Sequence, residues 1–250
     1  MSGHSKWASI KHKKGAADAK KGALYTKIIK EITMAARNGG GSPDMNPALR
    51  TAMAKAKEAN MPSDNVKNAI KRGTGEIPGV IYETINYEAY GPGGVAIMIQ
   101  TLTDNKNRTT AEVRNILSKK GGNMAGAGSV AWMFNMKGYI VVDKSAAAED
   151  VLMDAALEAG AEDIKTQEKV YEVFSAPADF EKVKQSLQEK GINFQSAEVT
   201  MIPTSAVKVV GSEAKQVLGL VEALEEQDDV QEVYANFDIP DEVIEQIAAE

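Results

Sequence analysis

The chain has 250 residues and a mass of 26.8 kDa, which predicts two or three compact domains and excludes a peptide, a toxin or a fibre. Hydrophobic residues make up 43% and charged residues 26%, so collagenous, mucin-like and wholly disordered classes are excluded. The absence of cysteine removes disulfides, thiolate metal sites and thiol nucleophiles together. The longest apolar runs, Val95 to Ile99 and Val130 to Phe134, have five residues each, far fewer than the roughly 18 that cross a bilayer. We therefore expect a soluble, cytoplasmic protein without a membrane partner.

The net charge of −6 hides an uneven distribution of charge along the chain. Residues 1–75 contain fifteen Lys or Arg and five Asp or Glu, a net charge of +10, whereas the remaining residues carry −16. The basic N-terminal third attracts a polyanion, and the acidic remainder repels one. This predicts docking on nucleic acid through the N-terminal third, with the rest facing away or contacting basic protein.

The N-terminal third is predicted to contain a mobile basic arm and three short helices. Apolar side chains in residues 1–22 are sparse and follow no period. Leu24, Ile28 and Ile32 then recur at helical spacing, and Asn46 is the predicted N-cap of a second helix. The three helices are predicted at residues 18–38, 47–60 and 63–73. Short links between them predict a small helical bundle.

Alternating and β-branched residues after Gly79 predict α+β structure. Strands are predicted near residues 81–90, 94–103, 138–142, 163–166, 170–175, 197–202, 206–209 and 230–237, and helices at 108–119, 147–159, 178–189 and 212–225. The order between residues 138 and 202 is βαββαβ, the layout of a ferredoxin-like domain. The elements at 81–119 lack the closing half of such a domain, and those at 206–237 supply it.

The predicted fold class is therefore α+β: an N-terminal three-helix domain with a basic arm, followed by two ferredoxin-like α+β domains, one inserted into the other. The predicted domains are residues 1–78, a discontinuous middle domain of 79–135 and 204–240, an inserted domain of 136–203, and a C-terminal helical tail of 241–250.

Neither a metal centre nor a catalytic site is predicted. His4 and His12 lie among lysines that repel a cation, and zinc normally needs three or four protein ligands. Nucleophile and base pairs of the usual kinds need residue types that this chain lacks outside the arm, and nothing marks two of its 35 acidic residues as a facing pair. We therefore predict a protein that is not an enzyme and has no cofactor.

Two glycine-rich segments are candidate ligand loops. Gly91 to Gly94 lies between two predicted strands without a following Lys-Ser or Lys-Thr, which favours a hairpin over a P-loop. Gly126 to Ser129 is predicted as a loop, serving either as a connection or as a place where a ligand approaches the backbone closely.

Basic residues of the arm and helices form the predicted nucleic-acid contact. Trp7, His4 and His12 supply flat groups that stack on bases, and the cations supply contacts to phosphates. The plain alternative is a solvated charged tail, but such a tail gains nothing from an exposed tryptophan. The predicted contact residues are Lys6, Trp7, Lys11, His12, Lys13, Lys14, Lys20, Lys21, Lys27, Lys30, Arg50, Lys55, Lys57, Lys67, Lys71 and Arg72.

Strings throughout the chain resemble the YebC family. They are Gly3-His4-Ser5-Lys6-Trp7, Asn46-Pro47-Ala48-Leu49-Arg50, and the stretches Ile10 to Gly22, Ile70 to Glu76, Tyr87 to Gly94, Asp104 to Thr109, Gly128 to Val130, Ala156 to Asp163, Ser196 to Pro203 and Asp229 to Tyr234. The resemblance implies a helical N-terminal domain followed by two α+β domains. It also implies a nucleic-acid role: bacterial members are described as probable DNA-binding transcriptional regulators, and a mitochondrial relative as an activator of translation. The resemblance transfers no catalytic residue.

Three hypotheses for the function follow. The first is a cytoplasmic, DNA-binding regulator of transcription. The second, in the same polyanion-binding class, is a translation factor that binds ribosomal RNA and relieves stalling on the ribosome, a role that the resemblance implies because some bacterial members of the family are linked to stalled ribosomes. The third is a protein interaction module that acts through its acidic domains. The sequence leaves DNA or RNA, the regulated genes and the oligomeric state open.

Overall fold

The computed structural model describes residues 18–240 and residue 243, and for residues 18–20 the backbone alone. Most of the predicted arm and, apart from Val243, the predicted C-terminal tail lie outside the described residues. The helices are α1 (Asp18–Gly39), α2 (Pro47–Glu58), α3 (Ser63–Thr74), α4 (Lys106–Lys119), α5 (Glu149–Glu158), α6 (Phe180–Glu189) and α7 (Gly211–Glu225). The strands are β1 (Glu83–Tyr90), β2 (Ala96–Thr103), β3 (Asn123–Met124), β4 (Phe134–Asp143), β5 (Ala161–Thr166), β6 (Val170–Ser175), β7 (Ser196–Pro203), β8 (Val207–Lys208), β9 (Val230–Ala235) and β10 (Phe237–Asp238). None of the described helices is long and apolar enough to cross a membrane.

Helices α1 to α3 form a bundle around a small apolar core that includes Ile28, Ile32, Leu49 and Ala69. Asn46 joins α1 to α2: its side-chain amide donates to the carbonyl oxygens of residues 35 and 40, each at 2.8 Å, and its Oδ1 accepts from the backbone N–H of Leu49 at 3.1 Å. The predicted N-cap is therefore confirmed, and its amide also fixes the preceding turn.

One glycine sets the distance between α1 and α3. A Cβ on Gly73 would lie 2.4 Å from the carbonyl oxygen of Thr33 and 2.7 Å from the Cβ of Ala36. Only a residue without a side chain allows this close approach. Gly75 then ends α3 as a left-handed C-cap with φ of 81°.

The first sheet has four strands in the order β3-β1-β2-β9, all antiparallel. Helices α4 and α7 cover one face, where Val113, Leu117 and the apolar side of α7 pack on Ile97 and Ile99. Strand β9 follows the second sheet in the sequence but pairs with β2 in the first. We propose that this sheet is the core of the discontinuous domain predicted from the sequence.

The second sheet has the order β5-β6-β4-β7, and its pairings are also antiparallel. With α5 and α6 on one face, this is the split βαβ arrangement that the element order predicted. The α+β class, with N-terminal helices followed by two sheets, is therefore confirmed.

The predicted strand at 230–237 is divided at Asn236. The buried side chain of Asn236 accepts a hydrogen bond from the backbone N–H of Ala96 at 2.8 Å, so β9 ends one residue earlier. The next two residues form β10, which pairs in parallel with β8 outside the four-stranded sheets. The strand predicted at 206–209 is therefore reduced to the two residues of β8.

Candidate nucleic-acid interface

The structure divides the predicted contact residues into three groups. Lys6, Trp7, Lys11, His12, Lys13 and Lys14, together with the side chain of Lys20, lie outside the description. The exposed residues of the bundle are Lys21, Arg50, Lys57, Lys67, Lys71 and Arg72. Lys27, Lys30 and Lys55 contact the acidic part of the chain, although Lys55 is also exposed. The basic surface is therefore smaller than the sequence predicted.

Lys30 is a structural residue, which corrects its prediction as a phosphate contact. Its Nζ lies 2.6 Å from Oδ1 of Asp229 and 2.9 Å from the backbone oxygen of Asp228. The side chains of Lys30 and Asp229 are 8% and 3% exposed. A buried ion pair with these contacts leaves no room for a phosphate at the ammonium group.

Asp229 connects three parts of the fold. Besides Lys30 on α1, its carboxylate accepts from Nη2 of Arg108 at 2.8 Å and from the hydroxyl of Thr109 at 2.7 Å, both on α4. Burial alone raises the pKa of Asp229, but the hydrogen bonds from Arg108, Lys30 and Thr109 outweigh it and hold the pKa well below its usual range. Asp229 is therefore ionised at neutral pH and fastens the bundle to the first sheet.

Two further lysines contact the same acidic surface. Lys27 Nζ donates to the backbone oxygen of Glu225 at 2.5 Å. Lys55 lies 3.2 Å from Glu31 and 3.6 Å from Glu232 on β9. Burial lowers the pKa of Lys55, but the two carboxylates outweigh it and raise the pKa overall. The acidic part of the chain therefore contacts lysines on one side of the bundle, and it does not face away from the bundle entirely.

Arginine side chains from two helices meet at a groove on the bundle. Arg37 in the last turn of α1 and Arg72 in the last turn of α3 line a groove of about 460 Å³, together with residues 73–81. Close packing at Gly73 brings the two helix ends together. Glu76 also lines the groove and accepts from the hydroxyl of Thr74 at 2.9 Å. Sequence reasoning missed Arg37, although its position in the last helical turn is typical of a cation near exposed carbonyls.

A second buried carboxylate holds the glycine-rich loop after β3. Glu88 on β1 accepts from the backbone N–H groups of Gly128 and Val130, each at 2.6 Å, and of Ala131 at 3.0 Å. Burial raises the pKa of Glu88, but these hydrogen bonds outweigh it and lower the pKa overall. The string at 87–94 and the string at 128–130 therefore belong to one structural unit.

The buried carboxylates of residues 21–240 are Glu88, Glu172 and Asp229, and each accepts hydrogen bonds from groups of the protein itself. No group of three or more His, Cys, Asp or Glu residues is arranged there to hold a metal ion. The strongly held carboxylates of Asp229 and Glu88 face donors of the protein itself. Neither residue could be identified from the sequence as a structural carboxylate, because its hydrogen-bond partners are distant along the chain.

Comparisons with known proteins cover nearly the whole chain. A family model described as TACO1/YebC protein N-terminal domain matches residues 5–76, and one described as TACO1/YebC second and third domain matches residues 82–237. A protein of Dictyoglomus turgidum, named "Probable transcriptional regulatory protein", is 56% identical over 249 residues, covering 99% of this chain and 100% of its own length. A protein of the same name from Halothermothrix orenii is 55% identical over 253 residues, with 100% of both chains covered.

A solved structure also matches the fold. The crystal structure of the conserved hypothetical protein Aq1575 from Aquifex aeolicus has a TM-score of 0.77 and 45% sequence identity. The match covers 90% of this chain and 93% of that one.

Proposed function

Because the chain belongs to the TACO1/YebC family, we propose that it is a cytoplasmic, nucleic-acid-binding regulator of gene expression, and specifically a DNA-binding regulator of transcription. The names of its relatives support the regulatory role. The exposed cations of the helical bundle are the observation that carries the binding role. The proposal contains no catalytic step.

The bundle keeps basic side chains in solvent after its internal ion pairs are formed. Lys57, Lys71 and Arg72 are exposed, and Arg72 shares its groove with Arg37. Lys67 lies 3.6 Å from Asp64, but both side chains are exposed, so this pair is weak and can exchange for a phosphate. The lysines of the arm precede α1 in the sequence and add to the positive charge of the N-terminal third.

The acidic domains support the same assignment by their charge. The carboxylates of Asp229 and Glu232 pair with Lys30 and Lys55, and the backbone oxygen of Glu225 accepts from Lys27. These contacts occupy lysines on one side of the bundle, so the other exposed cations are the ones proposed to meet the nucleic acid. A polyanion is repelled by the acidic sheets and attracted by the exposed cations. The bundle therefore meets the nucleic acid first.

The test is the salt dependence of binding, measured by fluorescence anisotropy with a labelled DNA duplex and an RNA of the same sequence. If six exposed cations of the bundle each neutralise one phosphate of a duplex, log K against log salt has a slope of about −5. Replacing both Lys71 and Arg72 with Gln makes the slope less steep by about 2.

A variant of equal charge serves as the control. Lys182→Gln with Lys190→Gln removes two exposed cations from the second α+β unit, where no phosphate contact is proposed. Wild-type affinity for this variant, together with weakened binding for the Lys71 and Arg72 variant, supports the proposal. The proposal is refuted if both double variants weaken binding equally, or if the affinity does not change with salt concentration. If the protein binds the RNA more tightly than the DNA duplex, the regulated step is translation and not transcription.

A further inference from the structure

We propose that Trp132 is a stacking platform for an unpaired nucleobase, on a surface separate from the basic bundle. This inference rests on the proposed nucleic-acid function and names a second contact for it. Trp132 lies in the short turn Ala131–Met133 that precedes β4, and it is 68% exposed. A large aromatic side chain left in solvent loses the favourable free energy of burial.

The exposed indole is held in one orientation. Its Nε1–H donates to the backbone oxygen of Ser129 at 3.0 Å, and the hydroxyl of Tyr90 donates to the same oxygen at 3.3 Å. Glu88 holds the backbone on the N-terminal side of the ring through three N–H groups. The carbonyl oxygen of Met133, on the other side, accepts from the backbone N–H of Thr204 at 2.8 Å. The ring therefore loses little further freedom on binding a flat partner.

The exposed loop positions that precede Trp132 in the sequence carry small side chains. The neighbouring exposed positions of the loop are occupied by Gly126, Ala127, Gly128 and Ala131, which have no side chain beyond Cβ. A binding site for an apolar helix needs several large anchors that continue along a groove. A single flat ring among small residues fits a planar partner that stacks on it.

The local charge favours a nucleic acid as that partner. Residues 119–137 contain Lys119, Lys120 and Lys137 and no acidic residue. Two acidic side chains from elsewhere contact this segment: Glu88 accepts from backbone N–H groups of the loop, and Glu162 pairs with Lys137. Lys119 and Lys120 are exposed, whereas Lys137 pairs with Glu162 at 2.5 Å. A phosphate chain can therefore approach this segment, while most of the acidic part repels it. Stacking on an aromatic side chain tolerates any base, because every base presents a π-face.

Tryptophan fluorescence tests the inference directly. The chain has two tryptophans, so Trp7→Phe leaves Trp132 as the single tryptophan, whose emission is excited selectively over that of the tyrosines. We expect a 20-nucleotide oligouridylate or oligodeoxythymidylate to quench this emission on binding, and a DNA duplex of the same length to leave it unchanged. The comparison of the two oligonucleotides also separates RNA from DNA as the source of the base.

Affinity measurements supply the second readout. In the otherwise wild-type chain, Trp132→Ala should weaken binding of the single strands by about 5- to 100-fold. Duplex affinity should change less than about twofold, because paired bases are not free to stack. Trp132→Phe should restore part of the affinity. The control is Val151→Ala, which truncates another exposed apolar side chain, on α5.

The two failures can be told apart. If the oligonucleotides bind but Trp132 is not quenched and Trp132→Ala keeps wild-type affinity, the stacking inference is wrong and the proposed function stands. Equal quenching by the duplex also overturns the inference. If neither single-stranded nor duplex nucleic acid binds at low salt, the proposed function itself fails.

Discussion

Replacing Asp229 with Asn tests the joint between the helical bundle and the first sheet. The substitution keeps the shape of the side chain but removes its charge. Lys30 then retains the backbone oxygen of Asp228 at 2.9 Å and has no carboxylate partner in its buried position. Removing one partner of a buried ion pair destabilises a protein by about 3–5 kcal/mol, because an uncompensated charge remains.

The opposite substitution, Lys30→Met, should be milder. Asp229 still accepts hydrogen bonds from Arg108 at 2.8 Å and Thr109 at 2.7 Å, so its charge stays compensated. We therefore expect Asp229→Asn to cost more than Lys30→Met and the double variant to recover part of the loss, with a coupling energy of about 0.5–3 kcal/mol. For a chain of this size, a loss of 3–5 kcal/mol lowers the Tm by about 6–20 °C.

The assay is thermal unfolding followed by circular dichroism, with hydrogen exchange along α1 to detect separation of the bundle. Asp64→Asn is the control, because it breaks an exposed pair at 3.6 Å whose loss should cost less than about 1 kcal/mol. The reasoning fails if Asp229→Asn is no less stable than Lys30→Met, or if both variants match the control.

The remaining predictions concern pH, a loop and a helix contact. The folded pKa of Asp229 is depressed, so its stabilisation is fully present above the unfolded value of about 3.9 and is lost as the pH falls through the folded pKa; acid titration of Asp229→Asn should lack this loss. Glu88→Gln should speed hydrogen exchange at the backbone N–H groups of Gly128 and Val130, and unchanged protection would contradict the role assigned to the carboxylate. Gly73→Ala should lower the free energy of unfolding by about 1–3 kcal/mol through overpacking against Thr33. Gly22→Ala, where no atom lies within 4 Å, should instead raise it by up to about 1 kcal/mol, as denaturant unfolding would show.

Local signals in the sequence were sufficient for the helix ends of the bundle. Asn46 and the proline after it mark the start of α2. The sequence predicts the end of α3 at Gly73; the helix continues one residue further, to Thr74, and Gly75 is its C-cap. Helical spacing predicted the burial of Ile28 and Ile32 correctly, but Leu24 is 46% exposed. Tyr25 makes the contact at that level of α1, donating its hydroxyl to the carbonyl oxygen of Asn60 at 2.8 Å.

The role of Lys30 and the end of β9 depend on tertiary contacts that the sequence does not reveal. In the sequence, Lys30 cannot be distinguished from the other lysines of α1. Its structural role depends on Asp229, which lies 199 residues further along the chain. The side chain of Asn236 ends β9 by bonding to Ala96, which is 140 residues away. Composition located the basic region, but it could not tell which cations the acidic domains neutralise.

The position of β9 in the first sheet determines the order in which the two sheets can form during synthesis. Strand β2 meets its outer neighbour only after residue 235 has been synthesised, whereas β4 to β7 form an uninterrupted stretch of chain. A nascent chain can therefore form the helical bundle and the second sheet before β9 has been synthesised. At that stage the first sheet lacks its edge strand β9. A chain truncated before residue 229 would lack β9, which leaves the edge of β2 uncovered and prone to self-association. Lys30 on α1 would also lack the carboxylate of Asp229.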